Sequence, residues 1–365
     1  MLKYYQLLKT RMMKMILRMP EYCRNFRCIA DKCKDNCCVG WEIDIDSATA
    51  EYYESVQGDF GCKLRSNIDK GEVCSFRLKG ERCPFLNDSN LCEIIINLGE
   101  EKLCQICSDH PRYFEWYSHI KEGGIGLCCE EAARLIVLSK DSFSTFDVPC
   151  DDESCDDYNN ALYDMLVFAR EEIIRTLEDE SITLKERVGL VISYAFELQC
   201  LADNYSFEKI PLEKQGLTVL SDSDIKSFLE AFTSLEPIDE NWRAYLQSLI
   251  DSAEVLSENL TVLADKADRY LKNIAVYFIW RYFLNGVYDE EFFSKVMLMA
   301  VSVAMIKLMY AEGITKAEAS DDEFYSQTAK NYSKEIEYSE ENLEKIYDMV
   351  YENPAFGAGN IIAII

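Results

Sequence analysis

One short stretch near the start of the chain decides how its first part folds. It reads Cys28-Ile29-Ala30-Asp31-Lys32-Cys33-Lys34-Asp35-Asn36-Cys37-Cys38. Thiols this close together compete to oxidise unless something holds them apart, and a bound metal ion or iron–sulfur cluster is the simplest way to hold them. Fifteen of the 16 cysteines lie at or before Cys155, so the pattern predicts metal chemistry in the first part of the chain.

The pattern of cysteines continues beyond this stretch. It includes Cys83 and Cys92 around a short loop, Cys104 and Cys107 in a C-x-x-C, and the adjacent pair Cys128-Cys129. An iron–sulfur cluster takes four thiolates, or three with one open iron position, and structural zinc takes four in a tetrahedron. The spacing does not choose between iron and zinc. Because consecutive side chains diverge, we do not expect both members of Cys37-Cys38 to bind the same ion.

The sequence predicts a cytoplasmic protein. Residues 1–19 mix Met, Lys, Arg and Leu without the apolar core or cleavage site of a secretory signal peptide. We find no run of about 18 apolar residues that predicts a membrane-spanning helix. In a reducing compartment a cysteine-rich segment is more often a metal site than a disulfide framework.

The net charge of −27 is unevenly distributed, since residues 1–34 hold nine Lys and Arg against two acids. The rest of the chain is strongly acidic and repels phosphate backbones, which argues against a nucleic-acid-binding protein. The acidic charge either keeps the protein soluble or attracts a lysine-bearing protein substrate.

The predicted fold is mainly α. We expect an amino-terminal extension over 1–19, a loop-rich, cysteine-dense metal-binding domain over 20–140, a linker over 141–157, and an all-α domain over 158–355. In the first domain, Ser47 is predicted to begin a helix, and a clearer helix is predicted over 130–139. Apolar periodicity in the last domain predicts helices over 158–179, 184–203, 222–235, 239–259, 265–286, 289–311 and 339–352.

Several motifs together resemble the flagellin lysine-N-methylase family. The amino-terminal ones are Tyr22, Phe26, Cys28, Cys33, Cys37-Cys38, Gly40-Trp41, Ile43 and Ile45-Asp46. Later ones are Cys83-Pro84-Phe85-Leu86, Leu91-Cys92, Leu98-Gly99-Glu100, Cys107, Pro111-Arg112, Glu131-Ala132-Ala133-Arg134-Leu135, the helix from Tyr277 to Phe283, and Tyr338-Ser339-Glu340-Glu341-Asn342-Leu343. The resemblance covers nearly all of the chain from Pro20 to about residue 350.

The resemblance implies a cytoplasmic enzyme that methylates lysine side chains of flagellin with S-adenosylmethionine and an iron–sulfur cluster of the 4Fe–4S type. The cysteines at positions that match the family are Cys28, Cys33, Cys37, Cys38, Cys83, Cys92, Cys107 and Cys129. The others are predicted to be ordinary packing or surface residues: Cys23, Cys62, Cys74, Cys104, Cys128, Cys150, Cys155 and Cys200. The chain departs from the family at His110 and at Cys128 and Glu130, which flank Cys129.

Three further residues are candidates for roles in binding or catalysis. Arg112 could clamp a carboxylate of the methyl donor, or be a surface or capping arginine. Asn273, Tyr277 and Arg281 recur every four residues and place polar groups on one helix face. Tyr277 and Arg281 are the catalytic candidates, with Tyr277 as a proton acceptor, although most such polar stripes are simply solvated.

A non-enzymatic function is the competing interpretation. In that case a zinc or iron ion only braces a loop-rich fold, and the helices bind a partner protein. The sequence has no Gly-rich turn between a strand and a helix, so a Rossmann-type methyltransferase is not predicted.

Overall fold

The computed structural model describes residues 15–40, 43–117, 119–151, 158–213, 223–263, 266–316 and 321–365. Its strands are β1 (Met15–Pro20), β2 (Asp44–Ile45), β3 (Ile68–Lys70), β4 (Cys74–Phe76), β5 (Arg112–Tyr117), β6 (Ile120–Ile125) and β7 (Thr145–Cys150). Its first helices are α1 (Ser47–Ser55), α2 (Gly58–Ser66), α3 (Glu93–Leu98), α4 (Gln105–Asp109) and α5 (Glu130–Val137).

The remaining helices follow β7. They are α6 (Asn160–Leu177), α7 (Leu184–Asp203), α8 (Ile225–Ala231), α9 (Trp242–Asp251), α10 (Ala253–Leu263), α11 (Asp268–Tyr282), α12 (Gly286–Asp289), α13 (Phe292–Thr315), α14 (Asp322–Glu337), α15 (Glu340–Glu352) and α16 (Ala358–Ile364). The prediction of a mainly α fold is confirmed, and the described part of the chain after residue 157 contains helices and no strand.

A four-stranded sheet lies beside the helices, with the strand order β5-β6-β1-β7. β1 runs parallel to β6 and antiparallel to β7, with Met15 opposite Cys150. None of these four strands was predicted: β1 begins inside the expected extension, β5 and β6 lie inside the expected loop-rich domain, and β7 lies inside the expected linker. β1 and β7 pair with residues more than 100 positions away, which local sequence patterns do not reveal. β5 and β6 form a local antiparallel hairpin.

The larger hydrophobic core joins this sheet to the helices. Phe26, Tyr117 and Ile125 from the first part of the chain pack in the same core as α6, α7, α11 and α13. A buried ion pair also connects the two layers, because Arg170 of α6 donates to both carboxylate oxygens of Glu122 in β6 at 2.6 and 2.7 Å. The sheet therefore belongs to the helical core.

The second, smaller core lies within residues 43–107. It is built from Ile43, Tyr53, Leu64, Phe76 and Phe85, and covers the three-stranded sheet β2-β4-β3. The predicted helix at Ser47 begins there, because Asp46 caps it by accepting a hydrogen bond from the Thr49 N–H at 2.9 Å.

The central helix of the large core is α13, which is buried on almost every side. Among the described helices, it alone is long and apolar enough to cross a bilayer, and 94% of its most apolar segment is buried inside the protein. This degree of burial is typical of a core helix. Predicted helices 158–179, 184–203 and 339–352 correspond closely to α6, α7 and α15, whereas 239–259 is divided into α9 and α10.

Candidate functional site

The fold brings all eight family-matched cysteines to one cavity of about 560 Å³. The cavity lies between the small core and the helical part of the protein. Two further cysteines, Cys104 and Cys128, also line it. The full set of cavity cysteines is Cys28, Cys33, Cys37, Cys38, Cys83, Cys92, Cys104, Cys107, Cys128 and Cys129. None of the 15 cysteines in the described residues forms a disulfide. Residues far apart in sequence therefore place ten sulfur atoms around one space.

Three of these cysteines hold the N-cap position of a helix. Cys92 precedes α3, Cys104 precedes α4 and Cys129 precedes α5. Burial raises the pKa of the Cys92 thiol and raises that of Cys129 to about 11, while the first backbone N–H groups of each helix oppose these shifts. Helix N-termini favour negative charge, so this placement suits thiolates.

Two thiol pairs share protons inside the cavity. The hydrogen bond from Cys38, followed by one from His110, lowers the pKa of Cys37 to about 5, and the same pair raises the pKa of Cys38. A hydrogen bond from Cys107 likewise lowers the pKa of Cys104. The Cys37–Cys38 pair thus favours the thiolate form of Cys37, which is the form that binds metals.

The cavity fits a sulfur-ligated centre in the kind and number of its donors. Within the described residues, no three His, Cys, Asp or Glu side chains stand at the distances from one common point that a metal ion requires. Cysteine has a single side-chain torsion, and its thiol rotates between staggered rotamers. Ten thiols around one cavity far exceed the four that a zinc ion or an iron–sulfur cluster takes.

Cys104 and Cys128 were predicted to be ordinary packing residues, but both line the cavity and are buried. The C-x-x-C spacing with Cys107 was the signal for Cys104. The other described cysteines predicted to be ordinary do not line the cavity: Cys23, Cys62, Cys74, Cys150 and Cys200. Cys155 lies outside the described residues.

Arg112 lies at the edge of the same cavity, at the start of β5. Its side chain is exposed and its guanidinium lies 5.3 Å from the centre of the Phe26 ring. The guanidinium makes one long hydrogen bond, 3.4 Å from the Ser108 carbonyl oxygen. Its guanidinium is therefore at the edge of the cavity and exposed, where a carboxylate can reach it.

Tyr277 and Arg281 lie in a buried network around Glu337. The Tyr277 hydroxyl donates to Glu337 at 2.7 Å, and the Arg281 guanidinium lies 2.7 Å from both the carboxylate and that hydroxyl. Tyr282 and Ser333 also donate to this carboxylate, at 2.8 and 2.6 Å. The Glu337 side chain is fully buried, so its charge is balanced entirely within the protein.

The predicted polar stripe is therefore not solvated. Tyr277 is 1% exposed, its oxygen also accepts the Leu127 N–H at 3.0 Å, and burial raises its pKa well above the usual value. Asn273 donates to the carbonyl oxygens of Val137 and Ser139. The catalytic roles of Tyr277 and Arg281 stay predictions. Their network lies next to the cavity, because Cys128, which lines the cavity, is hydrogen-bonded to Tyr338, the residue after Glu337.

Ion pairs fasten the first cysteine stretch to α14. Asp35 bonds to Lys330 and also to Lys334, the latter at 3.0 Å, and Lys34 pairs with Glu323. The Lys34 N–H also donates to Glu130 in the first turn of α5 at 2.7 Å. These contacts hold the loop that carries Cys33 and Cys37 against the helical part of the protein.

Comparison with known proteins identifies the family of this chain. The family model described as the FliB lysine N-methylase C-terminal domain matches residues 170–364, more than half of the chain. The chain belongs to this family. Its helices from α7 to α16, including Tyr277, Arg281 and Glu337, lie within the matched region.

Curated relatives agree with this family. A lysine-N-methylase of Salmonella choleraesuis is 28% identical over 134 residues, which are 34% of this chain and 33% of the relative. The flagellar biosynthetic protein FliU of Salmonella muenchen is 27% identical over 134 residues, 34% of this chain and 79% of the relative. The matched part of the chain thus spans about a third of the lysine-N-methylase. No solved structure matches this chain.

Proposed function

We propose that this member of the FliB family is a cytoplasmic protein-lysine N-methylase that uses S-adenosylmethionine to methylate flagellin. The observation that carries the proposal is the convergence of ten thiols on one cavity in a chain of this family. Among the relatives, the names lysine-N-methylase and flagellar biosynthetic protein point to the reaction and to flagellin.

The thiols would hold an iron–sulfur cluster in the cavity, which would bind and orient the methyl donor when present. Ligands would come from Cys28, Cys33, Cys37, Cys38, Cys83, Cys92, Cys107 and Cys129. Arg112 at the edge of the cavity would bind the donor's carboxylate. Zinc is the alternative metal, because thiolates bind both.

The substrate lysine has to enter this cavity as a neutral amine, because an ammonium group has no lone pair to accept a methyl group. The reference pKa of lysine is about 10.4, and burial among apolar side chains lowers it. Phe26, Ile43 and Phe76 are buried and supply such a surface. The strongly acidic chain would attract lysine-bearing surfaces of flagellin.

The test is to incubate anaerobically purified protein with a reductant, S-adenosylmethionine and flagellin, and then to measure the intact mass of flagellin. We expect mass steps that correspond to exchange of hydrogen for methyl on lysine. Cys37→Ser should abolish these steps, whereas the matched variant Cys62→Ser, exposed and outside the cavity, should retain them. Unchanged flagellin after incubation with folded, metal-loaded protein contradicts the proposal.

A further inference from the structure

Nine of the ten thiols that line the cavity fall into two sets that belong to different parts of the fold. The tenth, Cys128, is hydrogen-bonded to Tyr338 and belongs to neither set. The inner set is Cys38, Cys83, Cys92, Cys104 and Cys107, all of which lie in or pack against the small hydrophobic core. The outer set is Cys28, Cys33, Cys37 and Cys129, none of which belongs to that core. This division follows from packing alone.

Contacts within the inner set support the division. The Cys83 N–H donates to the Cys38 carbonyl oxygen at 2.9 Å, which places the two residues side by side. Leu86 forms an isolated bridge with Cys92 and so brings that cysteine next to the Cys83 turn. A hydrogen bond joins the thiols of Cys104 and Cys107, and both residues pack in the same small core as Cys83. The inner thiols therefore belong to one part of the fold.

The outer set gathers around the start of α5. The Cys33 sulfur lies 3.5 Å from a carboxylate oxygen of Glu130, the residue that follows Cys129. Cys129 lines the same cavity as Cys28 and Cys37. Glu130 also accepts the Lys34 N–H, so it holds the loop with Cys33 beside Cys129.

The adjacent pair Cys37-Cys38 connects the two sets. The two thiols are hydrogen-bonded to each other, but Cys38 packs against the small core and Cys37 does not, so one member belongs to each set. Each set then contains at least four thiols, the number that a zinc ion or an iron–sulfur cluster requires. Burial also differs, since Cys83 and Cys104 are buried, whereas Cys28 and Cys37 are exposed.

We propose that the protein holds two thiolate-ligated metal centres side by side, an inner centre that braces the small core and an outer centre that opens to solvent. Structural metal sites are closed, and catalytic sites keep an accessible position. The exposed outer centre is the one where the methyl donor and lysine would meet, and only this last assignment depends on the proposed function. The two centres also unite the structural and catalytic interpretations of the cysteine pattern.

The experiment compares three double variants of the whole chain, purified without oxygen. Cys28→Ser with Cys37→Ser alters the outer set, and Cys83→Ser with Cys92→Ser alters the inner set. Cys62→Ser with Cys200→Ser is the control, because both residues are exposed and outside the cavity. Iron, zinc and acid-labile sulfide per chain are measured together with the thermal unfolding midpoint.

We expect the outer variant to keep an intermediate metal content, about half of wild type if the centres are alike, with an unchanged unfolding midpoint. The inner variant should lose the metal that the outer variant keeps, and it should unfold at a lower temperature. The inference is wrong if the outer variant keeps all of its metal or loses all of it. Because that variant alters exposed residues, this result is decisive even if the inner variant does not fold.

Methylation assays on the same samples separate this inference from the proposed function. A wild-type protein with one centre that methylates flagellin contradicts the two-centre arrangement and leaves the proposed function standing. A protein with two centres that leaves flagellin unmodified contradicts the proposed function and supports the arrangement.

Discussion

The buried network around Glu337 makes a strong prediction about stability. In Glu337→Gln, the carboxylate that accepts hydrogen bonds from Tyr277, Arg281, Tyr282 and Ser333 becomes a neutral amide. The Arg281 charge then stays largely buried, with 19% of its side chain exposed, and has no counter-charge from Glu337. Breaking a buried ion pair costs about 3–5 kcal/mol, and the partial exposure of Arg281 places the expected loss at the lower end, about 3 kcal/mol.

A matched substitution calibrates this value. Glu341→Gln also removes one carboxylate from an ion pair, with Lys345 at 2.6 Å, but the Glu341 side chain is 62% exposed. Its expected cost is below about 0.5 kcal/mol, because water screens exposed pairs. Denaturant unfolding of both variants measures the two free energies. Equal losses would refute the claim that the network is a buried brace, and the double variant Arg281→Met with Glu337→Gln should recover part of the loss.

Three further predictions concern other parts of the fold. The hydrogen bond from Arg18 lowers the pKa of Asp147 below 3.8. The pair therefore stabilises the protein above about pH 4, and this contribution is lost as the pH falls through the lowered pKa. Asp147→Asn should lower the free energy of unfolding by less than about 1 kcal/mol near pH 7, and urea unfolding should show no difference from wild type in acid. In metal-free protein near pH 6, iodoacetamide should modify Cys37 much faster than Cys33. The pKa of Cys37 is lowered to about 5, whereas burial raises the pKa of Cys33 to about 12. Equal rates of modification, measured by peptide mass mapping, would contradict the geometry. Gly61→Ala should lower the free energy of unfolding by about 1–3 kcal/mol, because the methyl group of the alanine would collide with the Val56 carbonyl oxygen. An unchanged denaturation midpoint would show instead that α2 can shift away.

The sequence predicted the helical part of the fold better than the sheet. Helix α7 begins and ends where the apolar periodicity places it, and its start is fixed by a capping box of Thr183 and Glu186 that is visible in the sequence. β1 and β7 were missed because their partners are distant in sequence, and their local composition resembles a basic terminus and an acidic linker. Long-range pairing has no local signature.

The site was predicted in part. Family resemblance identified eight cysteines that the fold brings to one cavity, while Cys104 was set aside despite its C-x-x-C spacing with Cys107. Periodicity placed Tyr277 and Arg281 on one face, but their partner Glu337 belongs to a different helix, more than 50 residues further along the chain. A polar stripe in sequence is the same whether it faces water or a buried carboxylate, so only the tertiary structure distinguishes these cases.

The coordination of the bound metal tests the central claim most directly. X-ray absorption at the metal edge of anaerobically purified protein reports the atoms in contact with the metal. We expect a first shell of sulfur, at about 2.3 Å for zinc, that is lost when the cavity cysteines are replaced by serine and kept in Cys62→Ser. A first shell of nitrogen and oxygen, or a sulfur shell that survives replacement of all ten cavity thiols, would contradict it.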